Sequence, residues 1–325
     1  MKKQAYLSIS IIIILMFGSC REEIPPEVFE PGDGPYLTEM AENLYFVEDY
    51  NNGGNICFLV SDEGVLVVDA GNYPGPTSEV ASLIGKVTDQ PVTTIIYTHC
   101  HGDHVGGVAG WPEDAEIIAH KNLPANLDKF VIPGVEEFRQ ELEKYGEDSL
   151  SLKYGDSFEE RMAMEIRKPD EVFSEIKILE MGKYPVELHY PGTCHTTDNI
   201  IVWFPDHKLV HTGDLVFHNR HPFISKSYEA DAYMWLETLK EWSDKDIEKV
   251  IPGHGEPGGK ELLDKQGDYL AQLILAVEEY ADSELDVYEM APEIHAKYFT
   301  EYEYSGFFDI AVETVLEDVI AEYEQ

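Results

Sequence analysis

The chain has 325 residues, 43% of them hydrophobic and 26% charged, which is enough to bury a substantial core in one large domain or two small ones. Acidic residues outnumber basic residues by 63 to 23, so the formal net charge at pH 7 is −40. Nucleic-acid binding needs clustered lysine and arginine to replace the counterions of the phosphate backbone, and the basic residues here form no run. The composition excludes a disordered or fibrous chain and argues against a nucleic-acid partner, and the acidic surface is typical of a highly soluble protein.

Residues 1–20 contain basic, apolar and small residues in the order that is typical of an export signal. Two lysines, an apolar stretch over 7–17 that is too short to span a membrane, and two small residues precede Cys20. This order is similar to a bacterial lipoprotein signal, in which the cysteine becomes the lipidated first residue. We therefore expect a protein that is exported and held by a lipid at Cys20 on the periplasmic or surface face of the cell envelope. Ordinary cleavage near Ser19 is the alternative.

The next segment, residues 21–35, contains four prolines and two glycines among several glutamates and has no hydrophobic period. Such a composition is typical of a tether. We expect the main domain to occupy residues 36–257, and a helical extension to occupy 258–325, where apolar residues recur at helix spacing.

Short apolar runs separated by turn-forming residues fill the main domain. A helical stretch over 77–87 between two such runs gives the order strand, helix, strand, which implies a parallel crossover and an α/β layer. The predicted strands are residues 44–47, 56–60, 65–68, 92–97, 115–119, 172–179, 185–190, 200–204, 209–211 and 250–251.

Residues 98–107 follow one of these strands and read Thr-His-Cys-His-Gly-Asp-His-Val-Gly-Gly. Three histidines and one aspartate therefore lie within six residues, in a glycine-containing loop between a strand and a predicted helix. Neutral imidazole and carboxylate oxygen are ligands that Zn²⁺ accepts. The pattern predicts a metal site with His99, His101, Asp103 and His104 as ligands.

Three later loops also border strands and contain potential ligands, namely His195, Asp214 and His254. Their recurrence strengthens the prediction of one metal centre assembled from four loops. Asp69 ends an earlier strand, where its carboxylate could accept the second N–H of a liganding histidine, or could instead cap a helix or form a turn.

The ordered set of four loops resembles the metallo-β-lactamase superfamily over residues 36–257. The resemblance implies an α/β fold, an αββα sandwich of two mixed sheets between helices, followed here by the helical extension. It also implies two zinc ions, although mixed histidine and carboxylate sites accept iron and manganese as well. In the family pattern His99, His101 and His195 hold one ion, Asp103, His104 and His254 hold the other, and Asp214 bridges them.

The expected activity is hydrolysis of a small-molecule carbonyl substrate: a lactam, lactone, ester or thioester. Two divalent ions about 3.5 to 4 Å apart can share a water molecule and lower its pKa towards 7. Asp103 is the catalytic candidate, since it is both a predicted ligand and a possible proton acceptor. The alternative is a non-catalytic binding or accessory lipoprotein that retains the site. The sequence leaves the oligomeric state open.

The loop that begins His195-Thr-Thr-Asp-Asn looks like that of the class B1 lactamases. Two positions depart from that class, because Asp214 and Phe217 stand where those enzymes have a cysteine ligand and a substrate-binding lysine. The aspartate instead resembles the glyoxalase II type and other hydrolases of the superfamily. The sequence therefore does not decide whether the substrate is a lactam or another carbonyl compound.

Several other features have two interpretations each. The long polar segment 121–171 is either a substrate-facing lid or a surface excursion, and Arg220 either reaches a substrate anion or lies in a surface loop. Cys100 and Cys194, each next to a predicted ligand, are either thiolate ligands or a disulfide, or buried small residues that support the loops. Two further histidines are expected to be structural, namely His120 and His211.

Overall fold

The computed structural model describes residues 35–48 and 53–323. The predicted signal sequence, the lipidation site at Cys20 and all but the last residue of the tether lie outside the described residues. None of the helices in the described part of the chain combines the length and the apolarity needed to cross a membrane.

Seven strands form the first sheet in chain order, antiparallel from the first to the fourth and parallel from the fourth to the seventh. The parallel half is made by a strand, helix, strand crossover, as the sequence predicts. The strands are β1 (Leu37–Ala41), β2 (Leu44–Val47), β3 (Ile56–Ser61), β4 (Gly64–Val68), β5 (Val92–Ile96), β6 (Glu116–His120) and β7 (Glu171–Phe173).

Five strands form the second sheet, in the order β12-β11-β10-β9-β8. All neighbours are antiparallel except β11 and β12. The strands are β8 (Ile176–Met181), β9 (Tyr184–His189), β10 (Ile201–Phe204), β11 (Leu209–His211) and β12 (Lys249–Ile251).

Ten α-helices complete the part of the chain that the structure describes. They are α1 (Pro74–Val87), α2 (Gly102–Val105), α3 (Leu123–Asn126), α4 (Ile132–Tyr145), α5 (Glu147–Tyr154), α6 (Phe158–Ala163), α7 (Ala232–Ser243), α8 (Glu261–Tyr280), α9 (Val287–Tyr298) and α10 (Gly306–Tyr323).

The two sheets pack face to face through apolar side chains such as Leu66 of the first sheet and Leu188 of the second, both fully buried. Burial of one such side chain contributes about 1.5–3 kcal/mol. Helix α1 covers the outer face of the first sheet with Val80 and Ile84, which lie one turn apart. Trp235 of α7 belongs to the core that α8, α9 and α10 share on the second sheet. The four layers are the predicted αββα sandwich.

The predicted strand at 172–179 is wrong as one element, because β7 and β8 divide it between the two sheets. The carbonyl of Phe173 accepts a hydrogen bond from the amide of Lys121, next to β6, whereas the carbonyl of Glu175 accepts one from Tyr190, next to β9. The chain therefore changes sheets at the two residues between the strands.

The segment 121–171 is mostly helical and contains α3 to α6. Phe138, Leu150 and Phe158 form a small apolar cluster of their own within it. Its first part also touches the loop that carries His195, because the side-chain amides of Asn122 and Asn126 donate to Thr197 at 2.7 and 2.9 Å.

Candidate metal centre

All seven side chains predicted as metal ligands lie close together, in the loops that follow β5, β9, β11 and β12. They form two groups, within each of which the candidate ligand atoms lie within 4.8 Å of one another. The first group is His99, His101, His195 and Asp214, and the second is Asp103, His104 and His254. This grouping is the one that the resemblance implies, while ligation itself stays a prediction.

Asp214 lies between the two groups. Its Oδ1 is 3.1 Å from Nε2 of His104 in the second group, and its Oδ2 is 3.6 Å from Nε2 of His195 in the first. The second carboxylate, Asp103, lies 3.2 Å from Nε2 of His254 through its Oδ2. One aspartate therefore faces both groups, which is the geometry required of a bridging carboxylate.

Asp69 orients two of the histidines. Its carboxylate lies 2.7 Å from Nδ1 of His104 and accepts hydrogen bonds from the amide and the hydroxyl of Thr98, both at 2.8 Å. The Thr98 hydroxyl in turn lies 3.0 Å from Nδ1 of His99. With the proton on Nδ1, a neutral ring directs the lone pair of Nε2 at the site. Asp69 is thus the partner of the second ring nitrogen of a candidate ligand, as predicted, whereas the helix-cap interpretation is wrong because Tyr73 precedes α1 as its N-cap.

The loop around His195 is held by backbone contacts. Nδ1 of His195 lies 2.9 Å from the carbonyl oxygen of Phe223, so it donates there and leaves Nε2 without a proton. Asn199 accepts hydrogen bonds from the amides of Cys194 and Thr196 and donates one to the carbonyl of Gly192. These contacts explain why an asparagine ends the His-Thr-Thr-Asp-Asn sequence: it closes the loop that presents the histidine.

Burial keeps three of the histidines neutral. It lowers the pKa of His101 to about 4 and that of His195 to about 3, and it lowers the pKa of His99 well below its usual value. Neutral imidazole is the form that binds metals. At pH 7 these rings can act as ligands without first losing a proton.

Carboxylates in and around the second group of candidate ligands stabilise positive charge on its histidines. Burial opposes protonation of His104, but the carboxylates of Asp214, Asp69 and Asp103 outweigh it and raise its pKa well above the ordinary value. Burial also opposes ionisation of Asp103, yet His104 and His254 lower its pKa to about 2. The site therefore contains ionised carboxylates in a buried setting, where a cation is strongly stabilised.

The side chains fit a metal ion by their chemistry as well as by their grouping. Nε2 of His99 is buried and has no hydrogen-bond partner in the described part of the chain, and Nε2 of His195 faces Nδ1 of His101 at 3.0 Å. Buried polar atoms of folded proteins are almost always satisfied. A set of nitrogen and carboxylate atoms of this kind matches the preference of Zn²⁺.

Aromatic residues that the sequence analysis missed surround the site. The ring of Phe217 stacks on His254, with centroids 5.4 Å apart and planes at 18°, and the ring of Tyr228 lies 4.2 Å from that of His101. Phe223 lies 5.6 Å from His101. Only the abundance of aromatic residues in the loop after Asp214 could have indicated them.

Arg220 lines a cavity of about 30 Å³ together with Phe217, Lys265 and Tyr269, and none of the seven predicted ligands lines that cavity.

Two buried cysteines lie next to candidate ligands in sequence, and neither belongs to the two ligand groups. Cys100 and Cys194 are free and fully buried. Burial raises the pKa of the Cys194 thiol to about 12 and raises that of Cys100 further. Neither forms a disulfide and neither belongs to the two groups of candidate ligands, which favours the interpretation as buried small residues.

The two histidines that the sequence predicts to be structural have hydrogen-bond partners. Nε2 of His120 lies 3.1 Å from the carbonyl of Ser174, and the amide of Gly213 donates to Nδ1 of His211 at 3.1 Å. Both histidines are structural, as predicted.

The profile of the metallo-beta-lactamase superfamily matches residues 50–254. The match covers more than half of the sequence and all four loops, so the chain belongs to the metallo-beta-lactamase superfamily and is a hydrolase of that superfamily.

Two bacterial relatives align with most of the chain. A metallo-beta-lactamase type 2 from Bacillus sp. (strain 170) is 28% identical over 236 residues, which cover 70% of this chain and 79% of the relative. A metallo-beta-lactamase type 2 from Bacteroides fragilis is 24% identical over 226 residues, which cover 66% of this chain and 78% of the relative.

Solved structures share the fold. A stereoselective inverting sec-alkylsulfatase from Pseudomonas sp. superposes with a TM-score of 0.64 at 17% identity over 88% of this chain, which spans half the length of that sulfatase. A metallo-beta-lactamase from Pontibacter korlensis superposes with a TM-score of 0.54 at 20% identity, covering 73% of this chain and 99% of the other. At these identities the likeness concerns the fold alone.

Proposed function

We propose that the protein is a dizinc hydrolase that cleaves a carbonyl substrate, namely a lactam, lactone, ester or thioester. The observation that carries the proposal is the position of Asp214, whose carboxylate faces both ligand groups within 4 Å. A binding protein requires no such shared carboxylate. The type 2 metallo-beta-lactamases among the relatives support the inclusion of lactams.

Asp214 and Asp103 differ in exposure, and we assign them different roles. When bound, two zinc ions supply Lewis acidity and lower the pKa of water towards neutrality. The Asp214 side chain is 4% exposed, so its role is to hold the centre, whereas the Asp103 side chain is 30% exposed and can reach a substrate. Asp103 is ionised, since His104 and His254 lower its pKa. Because it is also the more exposed carboxylate, we assign to it the acceptance of a proton during breakdown of the tetrahedral intermediate.

A chelator experiment tests the proposed activity. The zinc-loaded full chain is assayed against nitrocefin, a lactone panel and thioesters, before and after removal of metal with dipicolinate, and again after zinc is restored. We expect hydrolysis of at least one substrate class, lost with the metal and regained with zinc. A chain that binds two zinc ions and turns over none of the panel would instead support the non-catalytic binding protein.

We also propose that the protein is exported and anchored to the cell envelope by a lipid. The order of residues 1–20 supports export and lipid attachment at Cys20. We expect the wild-type protein to partition into the detergent phase of Triton X-114 and the Cys20→Ser variant to partition into the aqueous phase. Equal partitioning of the two proteins would contradict the lipid anchor. It would not bear on the proposed hydrolysis, because that activity is assayed with the purified chain.

A further inference from the structure

Four aromatic side chains form a continuous surface from the candidate metal centre to solvent. We call this surface, which consists of Phe130, Phe223, Tyr228 and Phe307, the aromatic wall. The rings of Phe223 and Tyr228 both contact the ring of His101. Phe130 lies 4.4 Å from Tyr228, and Phe307 lies 5.2 Å from Phe223 between ring centroids. The outer end is open, because the Phe307 side chain is 53% exposed.

The C-terminal extension fixes this wall in place. The hydroxyl of Thr314, on α10, accepts a hydrogen bond from the amide of Lys226 at 3.0 Å and donates one to the carbonyl of Ile224 at 3.2 Å. Both partners lie in the loop that carries Phe223 and Tyr228. The wall is therefore attached to a long packed helix, and a rigid apolar surface binds a ligand without paying an ordering cost.

The cations beside the wall are already paired. Lys129 lies over the ring of Phe130 at 4.5 Å and makes an ion pair with Glu229 at 2.9 Å. Lys226 makes an ion pair with Asp318 of α10. A negatively charged substrate group would have to displace one of these carboxylates, whereas an uncharged apolar group would not.

We propose that the aromatic wall binds an uncharged apolar substituent of the substrate, and that Phe307 of α10 determines specificity for its length. The inference rests on the proposed carbonyl hydrolase. It assigns the substrate class as neutral esters, lactones or thioesters that carry an extended alkyl chain or ring. It also gives the helical extension a role in substrate choice, separate from its role in packing.

A chain-length series tests the inference. The zinc-loaded full chain is assayed with p-nitrophenyl acetate, butanoate, hexanoate and octanoate. We expect kcat/KM to rise about two- to fourfold for each added methylene, as burial against an apolar surface predicts. In the Phe307→Ala variant, the ratio of kcat/KM for the octanoate to kcat/KM for the acetate is expected to fall about tenfold, through a higher KM for the octanoate.

The control is Tyr288→Ala, which removes an 80% exposed aromatic ring from α9, also in the extension. It is expected to leave the whole series unchanged. The absence of a chain-length preference in the wild type, or an equal loss on acetate and octanoate in Phe307→Ala, would overturn the inference.

Calorimetric titration with octanamide separates the inference from the proposed activity, since it needs no turnover. We expect Phe307→Ala to bind octanamide about tenfold more weakly than the wild type or Tyr288→Ala. Equal affinities for all three proteins would overturn the inference. Failure of hydrolysis together with the expected difference in octanamide affinity would overturn the proposed function alone.

Discussion

Replacement of Asp214 with asparagine is expected to lower kcat/KM by more than about 100-fold, because loss of a mere supporting partner of a metal ligand already costs about 10- to 100-fold. The amide has nearly the same shape as the carboxylate but lacks its charge. Asp214 faces His104 at 3.1 Å and His195 at 3.6 Å, so both ligand groups lose the anion that they share. Bound zinc is expected to fall below two ions per chain.

Zinc per chain is measured by atomic emission after dialysis, and kcat/KM is measured on the best substrate of the panel. Circular dichroism and the thermal midpoint show whether the variant is folded. The matched control is Asp246→Asn, which changes an 82% exposed carboxylate paired with Lys208 and should leave zinc content and activity unchanged. An Asp214→Asn protein with two zinc ions and full activity would contradict the shared-carboxylate geometry.

The candidate centre could be predicted because its chemistry is local in sequence. The predicted ligands lie in the loops after β5, β9, β11 and β12. In the second sheet β9, β11 and β12 run in the same direction, so their carboxyl ends lie at one edge of that sheet. The glycine and threonine residues around His195 marked a loop, and the structure shows that Asn199 closes it.

The aromatic wall could not be predicted in the same way. Phe130, Phe223 and Phe307 come from three distant parts of the chain. Phe307 contacts Phe223 because α10 packs beside the loop after Asp214, and Phe130 contacts Tyr228 of the same loop. Long-range packing therefore forms the aromatic wall, whereas local sequence motifs form the candidate metal centre.

Helix α7 and the break between β7 and β8 were not predicted, for different reasons. Helix α7 has a clear signal that the sequence analysis did not use, since Trp235, Leu239 and Trp242 recur at helix spacing and Asp231 caps the first turn. The break between β7 and β8 had no comparable signal. Two polar residues, Ser174 and Glu175, lie at the break, and the hydrogen-bond partners on either side show that the chain passes from one sheet to the other.

Replacement of Gly253 with alanine is expected to abolish activity, although glycine and alanine differ by one methyl group. A Cβ at this position would lie 1.9 Å from Oδ1 of Asp214 and 2.7 Å from the backbone carbon of Gly213. The backbone at Gly213 cannot retreat, because it packs against Thr98. The methyl group must therefore displace Asp214 or the neighbouring His254. Overpacking of this kind costs about 1–3 kcal/mol, so the thermal midpoint should also fall by a few degrees.

The control for Gly253→Ala is Gly102→Ala, which changes a glycine between the predicted ligands His101 and Asp103. A Cβ there would meet no atom within 4 Å, and alanine favours the helix α2 that starts at this residue. We expect Gly102→Ala to keep its zinc, its activity and its thermal midpoint. Gly102 lies within the ligand motif, so its position in the sequence suggests that it is more important for activity than Gly253. The space around the two glycines predicts instead that Gly253 is the more important. Loss of activity in Gly102→Ala with retention in Gly253→Ala would show that the packing described around Asp214 is wrong.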